Sequence, residues 1–556
     1  MAVFSEKADY ILRIYVRKRQ ISEEKEMKDY PLLKTGILTA LVFVINSAVF
    51  ADNPLVRHIF TADPAPIVYN DTFYIFTGRD EGRNNGWIMN GWHVLSSTDM
   101  ANWTDHGVVL AVKDVTWLNQ SQAWAAQCIE RDGKFYFYIC DSGEIGVAIA
   151  DNILGPYTDA LGKPLISNKT PGACPDNDNI DPSVFIDDDG QAYIYWGTDN
   201  VVRQAKLKRN MIEIDGEITV PQGINRFFEA SWVHKRNGIY YYSYAARNSS
   251  GNNWPSNIDY CTSTNPLGPW TYKGTINDFA GTGTNHSGII EYKDKWYFVY
   301  HTDYLSGGTA WQRSVQVDNL FYNNDGTIRK IVQTEEGPEP VGKPPFEENV
   351  YYKIRVKHSG KLVDVEDAST SSANVFQASD NGHNSQHWKL VRVGNGVYKF
   401  VNRNSGLVLD ADMSSNNVLQ YTNNDGNNQK WKLTGNGKGE YYIVNVHYNR
   451  MLEVYYAETD DGANVQHWEF NGETCQQWKL EKVDTGAVEI TFIRDNTPVR
   501  SGILPGGNVC FSYGNSRLSP SGSVFDLSGR IRNVLNPNRQ GSGFVINREA
   551  SSPGRK

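Results

Sequence analysis

Short apolar runs separated by turn residues fill residues 63–300, and Val, Ile, Tyr, Phe and Trp dominate the runs. Such runs predict strands, and the turn residues between them predict hairpins. Residues 179–197, NIDPSVFIDDDGQAYIYWG, show the unit most plainly. An acid fixed before a proline, Asp181-Pro182, opens it. Val184, Phe185 and Ile186 form a first strand, Asp189-Gly190 supplies a turn with φ > 0, and an aromatic second strand runs from Ala192 to Trp196. The same order recurs at 63–77, 124–139, 229–244 and 286–300. Anchored on Tyr74, Tyr136, Tyr193, Tyr240 and Tyr297, the copies lie 62, 57, 47 and 57 residues apart. Repeats of this length built from short strands predict propeller blades, five of them. MANW at 100–103, LGPY at 154–157 and LGPW at 267–270 mark the second half of three blades.

The repeat also aligns chemistry. Eleven residues before Tyr74 stands Asp63, twelve before Tyr193 stands Asp181, and eleven before Tyr240 and Tyr297 stand Glu229 and His286; the second blade has Trp124 or Ala125 there. The first strand of a blade lines the central channel, so equivalent positions converge on its axis. Three carboxylates and a histidine are therefore expected at one mouth. An acid before proline can also do no more than open a turn, but turn chemistry does not require three acids in register. Glycoside hydrolysis does use such a set: one carboxyl kept protonated, a second kept ionised, and a third to separate the two by charge and hydrogen bonding.

The segments TADPAP, NIDPSVFIDDDGQAYIYWG, AKLKRNMIEIDG, FFEASWVHKRNGIYYYSYA and TNHSGIIEYKDKWYFVYH resemble glycoside hydrolase family 43 over residues 53–340, and within it the arabinoxylan arabinofuranohydrolases. The resemblance implies a five-bladed propeller and inversion at the anomeric carbon, with a base-to-acid gap of roughly 6.5–9.5 Å. It implies Asp63 as general base, Glu229 as general acid and Asp181 as the residue that tunes Glu229 and positions the sugar. Phe227, Phe228 and Trp232 are suited to raise the pKa of Glu229 by desolvation. Arg313, in WQRSV, matches a family arginine facing the sugar. Trp124 and Phe228 complete the expected sugar-binding set. His286 matches the family histidine at the propeller centre, beside a bound Ca2+ or a water cluster, although calcium prefers oxygen ligands.

A net charge of −9 argues against nucleic acid as a partner. The expected partner is plant cell-wall polysaccharide, arabinoxylan or xylan. Six cysteines spread over 556 residues imply no disulfide framework. Residues 1–26 are charged and aperiodic, and read as an upstream, misassigned start. Residues 27–51 read as a signal peptide: Lys28 and Lys34 precede an apolar run, and Val49 and Ala51 suit a cleavage site, so export or surface attachment is expected. That run is shorter than the ~20 residues of a stable membrane span. The propeller is expected over 52–334 and a proline-rich linker, EEGPEPVGKPPFEE, over 335–348.

From 349 to 484 the period changes. Three units begin at Tyr352, Tyr398 and Tyr442 and end in Q-x-W: Gln386/Trp388, Gln429/Trp431 and Gln476/Trp478. Three units that cannot each bury their aromatic faces alone predict a threefold β-trefoil. The fold class is therefore all-β, a five-bladed β-propeller followed by a β-trefoil. The Q-x-W endings resemble ricin-B-like lectins, also called carbohydrate-binding module family 13. That resemblance implies sugar pockets made of an acid, an aromatic platform and an Asn. Unit two has Asp410, Tyr421 and Asn428. Unit three keeps Trp468 but has Glu453 and Cys475, and unit one has Asp364 with Ala378 and Ser385, so one working pocket is expected, in unit two. Residues 485–556 read as a disordered tail or a secretion and sorting segment. The function expected is a secreted inverting hydrolase that removes arabinofuranosyl groups. The rivals are a β-xylosidase or arabinan hydrolase of the same fold, and a non-catalytic carbohydrate-binding protein.

Overall fold

A computed structural model describes residues 53–82, 86–118, 121–176, 178–248, 250–251, 254–278, 281–347 and 350–483, and the backbone of two further strands, Val499–Ile503 and Val509–Tyr513. The segments read as an upstream start (1–26) and a signal peptide (27–51) lie outside the described residues, as does most of the tail.

Nineteen strands make five antiparallel sheets. The first is β1 (Phe60–Tyr69), β2 (Thr72–Asp80), β3 (Gly91–Ser97) and β4 (Trp103–Ala111). The second is β5 (Gln127–Arg131), β6 (Lys134–Asp141), β7 (Glu144–Ala150) and β8 (Thr158–Asp159). The third is β9 (Ser183–Ile186), β10 (Ala192–Thr198), β11 (Val201–Leu207) and β12 (Ile214–Thr219). The fourth is β13 (Phe227–Arg236), β14 (Ile239–Ala246), β15 (Asn257–Ser263) and β16 (Thr271–Asn277), and the fifth is β17 (Ser287–Tyr292), β18 (Lys295–Thr302) and β19 (Ser314–Leu320). The segment before β1 completes the fifth sheet. Leu55 N–H donates to Val315 O at 3.0 Å and Thr61 N–H to Arg313 O at 2.9 Å. The Asn53 amide clasps the backbone of Val317 from both sides, at 3.0 and 3.1 Å. One continuous chain thus closes the last blade and opens the first, which removes a free sheet edge.

The aromatic second strands hold neighbouring blades together. Tyr138, Val184, Ile194 and Trp196 pack between blades two and three, and Tyr195, Tyr242, Tyr244 and Trp270 between three and four. Burying each such side chain contributes about 1.5–3 kcal/mol.

The trefoil repeats three devices. Trp388, Trp431 and Trp478 are fully buried, and their indole N–H groups donate to Val363, Leu409 and Leu452 carbonyls at 3.2, 3.1 and 2.8 Å. Each Q-x-W glutamine donates to the acid of its own unit: Gln386 to Asp364 at 3.0 Å, Gln429 to Asp410 at 2.7 Å and Gln476 to Glu453 at 2.7 Å. At the threefold axis Asn374 donates to Asn464, Asn464 to Asn417 and Asn417 to Asn374, each at 2.9 Å. One asparagine per unit, in the shared A/N-N-V sequence, closes a ring with every donor answered.

The two bodies share a built seam. Trp103 and Thr104 of β4 pair in parallel with Thr434 and Gly435 of the trefoil strand Trp431–Gly435. A Cβ on Gly435 would sit 2.8 Å from the Thr104 hydroxyl, so the approach requires glycine. His58 stacks on Tyr442 at 4.8 Å and meets the edge of Phe470 at 5.0 Å, while its Nε2 bonds Asp105 at 2.9 Å. The expected linker is tied down at both ends. Val341 N–H donates to Asp99 O at 2.8 Å, and Phe346 enters the trefoil core against Tyr352, Tyr398 and Tyr441.

Candidate active site

Blade geometry delivers the three acids to one place. Asp63 and Asp181 both adopt φ > 0, at 52° and 55°, and Ala230, next to Glu229, has φ 59°. Register shifts interrupt β1 between Ala62 and Ala65, and β13 on both sides of Glu229. Bulges of this kind re-aim a side chain at the cost of local pairing, and left-handed backbone is a strained state that Asp tolerates better than most residues. Here the strained backbone falls where the carboxylates turn toward the channel.

Asp63 is 8% exposed. Its Oδ1 accepts from Arg313 Nη1 at 2.8 Å. Its backbone N–H donates to His301 Nδ1 at 3.2 Å, which leaves the proton of that imidazole on Nε2, facing the Thr284 hydroxyl at 3.3 Å. Burial pushes the Asp63 carboxyl up to about 6, against the pull of the Arg313 guanidinium. Asp181 Oδ2 accepts from Ala230 N–H at 2.8 Å, tying the third blade to the residue beside the acid in the fourth. His286 Nδ1 lies 4.0 Å from Asp63 Oδ1 and 3.8 Å from Asp181 Oδ2. Burial and then Arg313 hold that imidazole down at about 3, so it is neutral and does not cancel the carboxylate charge.

Glu229 is partly open, with Phe228 and Trp232 buried around it. Burial of its carboxyl, with the charges of Asp181 and Asp63, raises its pKa well above the ordinary value. Asp181 is raised by the same causes, burial first and Asp63 second, but a backbone N–H opposes them. Two such neighbours do not ionise together. The N–H bond favours charge on Asp181, which leaves the proton on Glu229.

The structure adds protein partners to three of the expected residues. The Arg313 guanidinium is taken up by carboxylates. Arg313 is 3% exposed and committed to Asp63 and to Asp80, with Nε to Asp80 Oδ2 at 3.0 Å and Nη2 to Oδ1 at 2.9 Å. It holds Asp63 in place and favours its charged form. Phe228 is a buried side chain of the same core cluster as Trp232 and Tyr300, placed to desolvate the acid. A calcium beside His286 would be held through waters, because the described side chains form no cage for it. Ca2+ takes six to eight oxygens, whereas His286 offers a nitrogen, and among the described residues no three His, Cys, Asp or Glu side chains are grouped to hold a metal. Trp124 is half-buried: its N–H donates to Trp87 O at 3.4 Å and its carbonyl accepts from Trp92 at 2.7 Å.

Asp80 and His301 escaped sequence reasoning. Asp80 ends β2 and meets Arg313 across 233 residues, a pairing no local motif announces. In the trefoil, Asp410 does meet Asn428, at 2.8 Å, with Tyr421 exposed beside it on the paired strand. A cavity of about 310 Å³, however, lies in unit three. Glu453, Gln466 and Asn471 line it with the exposed rings of Tyr455, Tyr456 and Trp468.

Comparison with known proteins agrees with this geometry. The family profile described as Glycosyl hydrolases family 43 matches residues 51–328, and the Ricin-type beta-trefoil lectin domain-like profile matches 345–423 and 427–498. An arabinoxylan arabinofuranohydrolase of Bacillus subtilis (strain 168) is 34% identical over 333 residues, 51% of this chain and 65% of that protein, so the chain spans somewhat under two thirds of that relative. A xylosidase/arabinosidase of Bacteroides ovatus is 32% identical over 335 residues, 51% of this chain and 98% of that protein. The crystal structure of a family 43 arabinoxylan arabinofuranohydrolase from Bacillus subtilis in complex with cellotetraose shares the fold, with a TM-score of 0.50 at 24% identity, over 70% of this chain and all of the other. With three buried carboxylates converging on a propeller channel and a Q-x-W trefoil behind it, the chain belongs to glycosyl hydrolases family 43 and carries a ricin-type β-trefoil domain.

Proposed function

We propose that this hydrolase removes α-L-arabinofuranosyl side groups from arabinoxylan with inversion. The separation of its two working carboxyls carries the reading: Asp63 ionises near 6 while Glu229 holds its proton well above the ordinary range. Asp63 takes a proton from water as the oxygen attacks the anomeric carbon, and Glu229 gives its proton to the departing glycosidic oxygen. Asp181 holds the two apart electrostatically. Arg313, fixed by Asp80, keeps Asp63 able to ionise in a buried place. The names of the Bacillus and Bacteroides relatives support arabinose as the sugar released; the Bacteroides name also supports xylose.

The trefoil would hold the enzyme on the polysaccharide, with the unit-three cavity as the principal pocket and the Asp410–Asn428–Tyr421 site beside it. Residues 27–51 would direct export, where such a substrate is met. The test is product analysis on 4-nitrophenyl α-L-arabinofuranoside, 4-nitrophenyl β-D-xyloside and arabinoxylan. Arabinose from the first and third supports the reading, and xylose from the second moves it to a xylosidase.

A further inference from the structure

The acids define the channel mouth, and the walls around that mouth are unequal. In each blade the second strand returns to the level where the first began: Phe60 pairs with Asp80, Phe227 with Ala246 and Ser287 with Tyr300. The connections from second to third strand therefore start at the end of each blade that carries the acids. In blades two and three these connections are two-residue turns, 142–143 and 199–200. In blades one, four and five they span 81–90, 247–256 and 303–313. These three blades are consecutive around the closed ring, and each long connection carries one tryptophan: Trp87, Trp254 and Trp311.

The three rings meet. Trp87 and Trp254 are 5.4 Å apart and Trp87 and Trp311 6.3 Å apart, both edge to face, and the Trp87 N–H donates to Ala310 O at 3.2 Å. The cluster is joined to the Arg313 side of the site. Trp311 precedes Arg313 by two residues, and Trp87 precedes by two residues Met89, whose sulfur lies 3.6 Å from Arg313 Nη2. Trp254 is 51% exposed although the cluster could have buried it. The mouth is thus low on one side and walled with indole on the other.

We propose that Trp254, braced by Trp87 and Trp311, is the platform for the departing part of the glycan and determines the preference for a polymeric leaving group. This rests on the hydrolase reading above. The general acid must face the leaving oxygen, and Glu229 belongs to the same blade as Trp254, so the leaving group lies toward Trp254 at the blade-four end of the wall, while Asp63 marks its blade-one end. A pyranose chain offers flat apolar faces that pack on indole, with its hydroxyls left to water. A chain crossing the low rim at blades two and three meets the wall with one residue stacked on Trp254.

The test uses the full chain, Trp254→Ala and Trp254→Phe. On arabinoxylan, the expected result for Trp254→Ala is a KM about tenfold higher with kcat within about twofold, the loss of roughly one stacked contact; Trp254→Phe recovers most of it. On 4-nitrophenyl α-L-arabinofuranoside, whose leaving group is a single ring, the KM shift is smaller. An unchanged KM for arabinoxylan in Trp254→Ala overturns the proposal. Failure of the substrate reading looks different, since the unmutated chain then releases a sugar other than arabinose. A titration with unbranched xylotetraose followed by tryptophan fluorescence needs no turnover. With Trp468→Ala in both proteins, to silence the trefoil cavity, the chain that keeps Trp254 responds and the Trp254→Ala chain does not; equal responses refute the platform.

Discussion

At the scale of single residues, the environment makes two carboxyls unlike. With the proposed roles, Asp63 ionised and Glu229 protonated, kcat/KM falls as pH drops through about 6, where Asp63 takes up its proton, and falls again at higher pH where Glu229 loses its own. A pH–rate profile with its acid limb near pH 4 would refute the assignment. Asp63→Asn lowers kcat on every substrate by about 10²–10⁴-fold, whereas Glu229→Gln is felt less on an aryl glycoside whose leaving group needs no proton. The same pKa shift sets a stability cost. Folding raises the Glu229 pKa, so between the unfolded and folded values the native state holds a proton that the unfolded state lacks, and stability declines as pH rises through that window. Glu229→Gln removes the titration; its melting temperature at pH 7 is expected above that of the unmutated chain, and the gap closes below about pH 4, under the unfolded pKa. An equal gap at both pH values would contradict this.

The register of the acids was legible because a propeller repeats its first strand at the axis, so counting back from each tyrosine located Asp63, Asp181, Glu229 and His286 without a fold in hand. What surrounds them was less legible. Strict strand alternation puts Phe227 and Glu229 on one face and Phe228 on the other. The bulge around Glu229 breaks that rule and buries both phenylalanines. Arg313 could be matched to a motif, but its partner Asp80 lies in another blade.

At the scale of elements, each trefoil acid has a structural duty before any binding one, since it anchors the Q-x-W glutamine. That explains why unit one keeps Asp364 without a platform. The Q-x-W spacing announced the trefoil; the unit-three cavity depends on Tyr455 and Tyr456, in a turn where Tyr456 has φ 48°, outside the expected motif. Trp468→Ala is therefore predicted to weaken retention on insoluble xylan more than Tyr421→Ala, with hydrolysis of the aryl arabinofuranoside unaffected by either. Retention lost only with Tyr421→Ala would restore unit two as the main site.

At the scale of the whole molecule, the seam makes catalyst and trefoil one unit. A proline-rich stretch read from sequence suggests a spacer, but β4 extends into the trefoil sheet and His58 stacks on Tyr442 and meets the edge of Phe470. Truncation after residue 334 uncovers the β4 edge and is expected to lower the melting temperature and promote aggregation. Phe470→Ala, which removes a half-buried ring from the seam, is expected to cost about 1–2 kcal/mol. A truncated propeller as stable as the full chain would show the seam to be incidental.

The central claim is that Glu229 donates the proton that frees arabinose from a xylan backbone. Product analysis of arabinoxylan treated with the full chain and with Glu229→Gln tests it most directly. The account predicts arabinose as the sugar released, a backbone of unchanged length, and release at least about 10²-fold slower in the variant. Release of xylose, shortening of the backbone, or undiminished release by Glu229→Gln would contradict it.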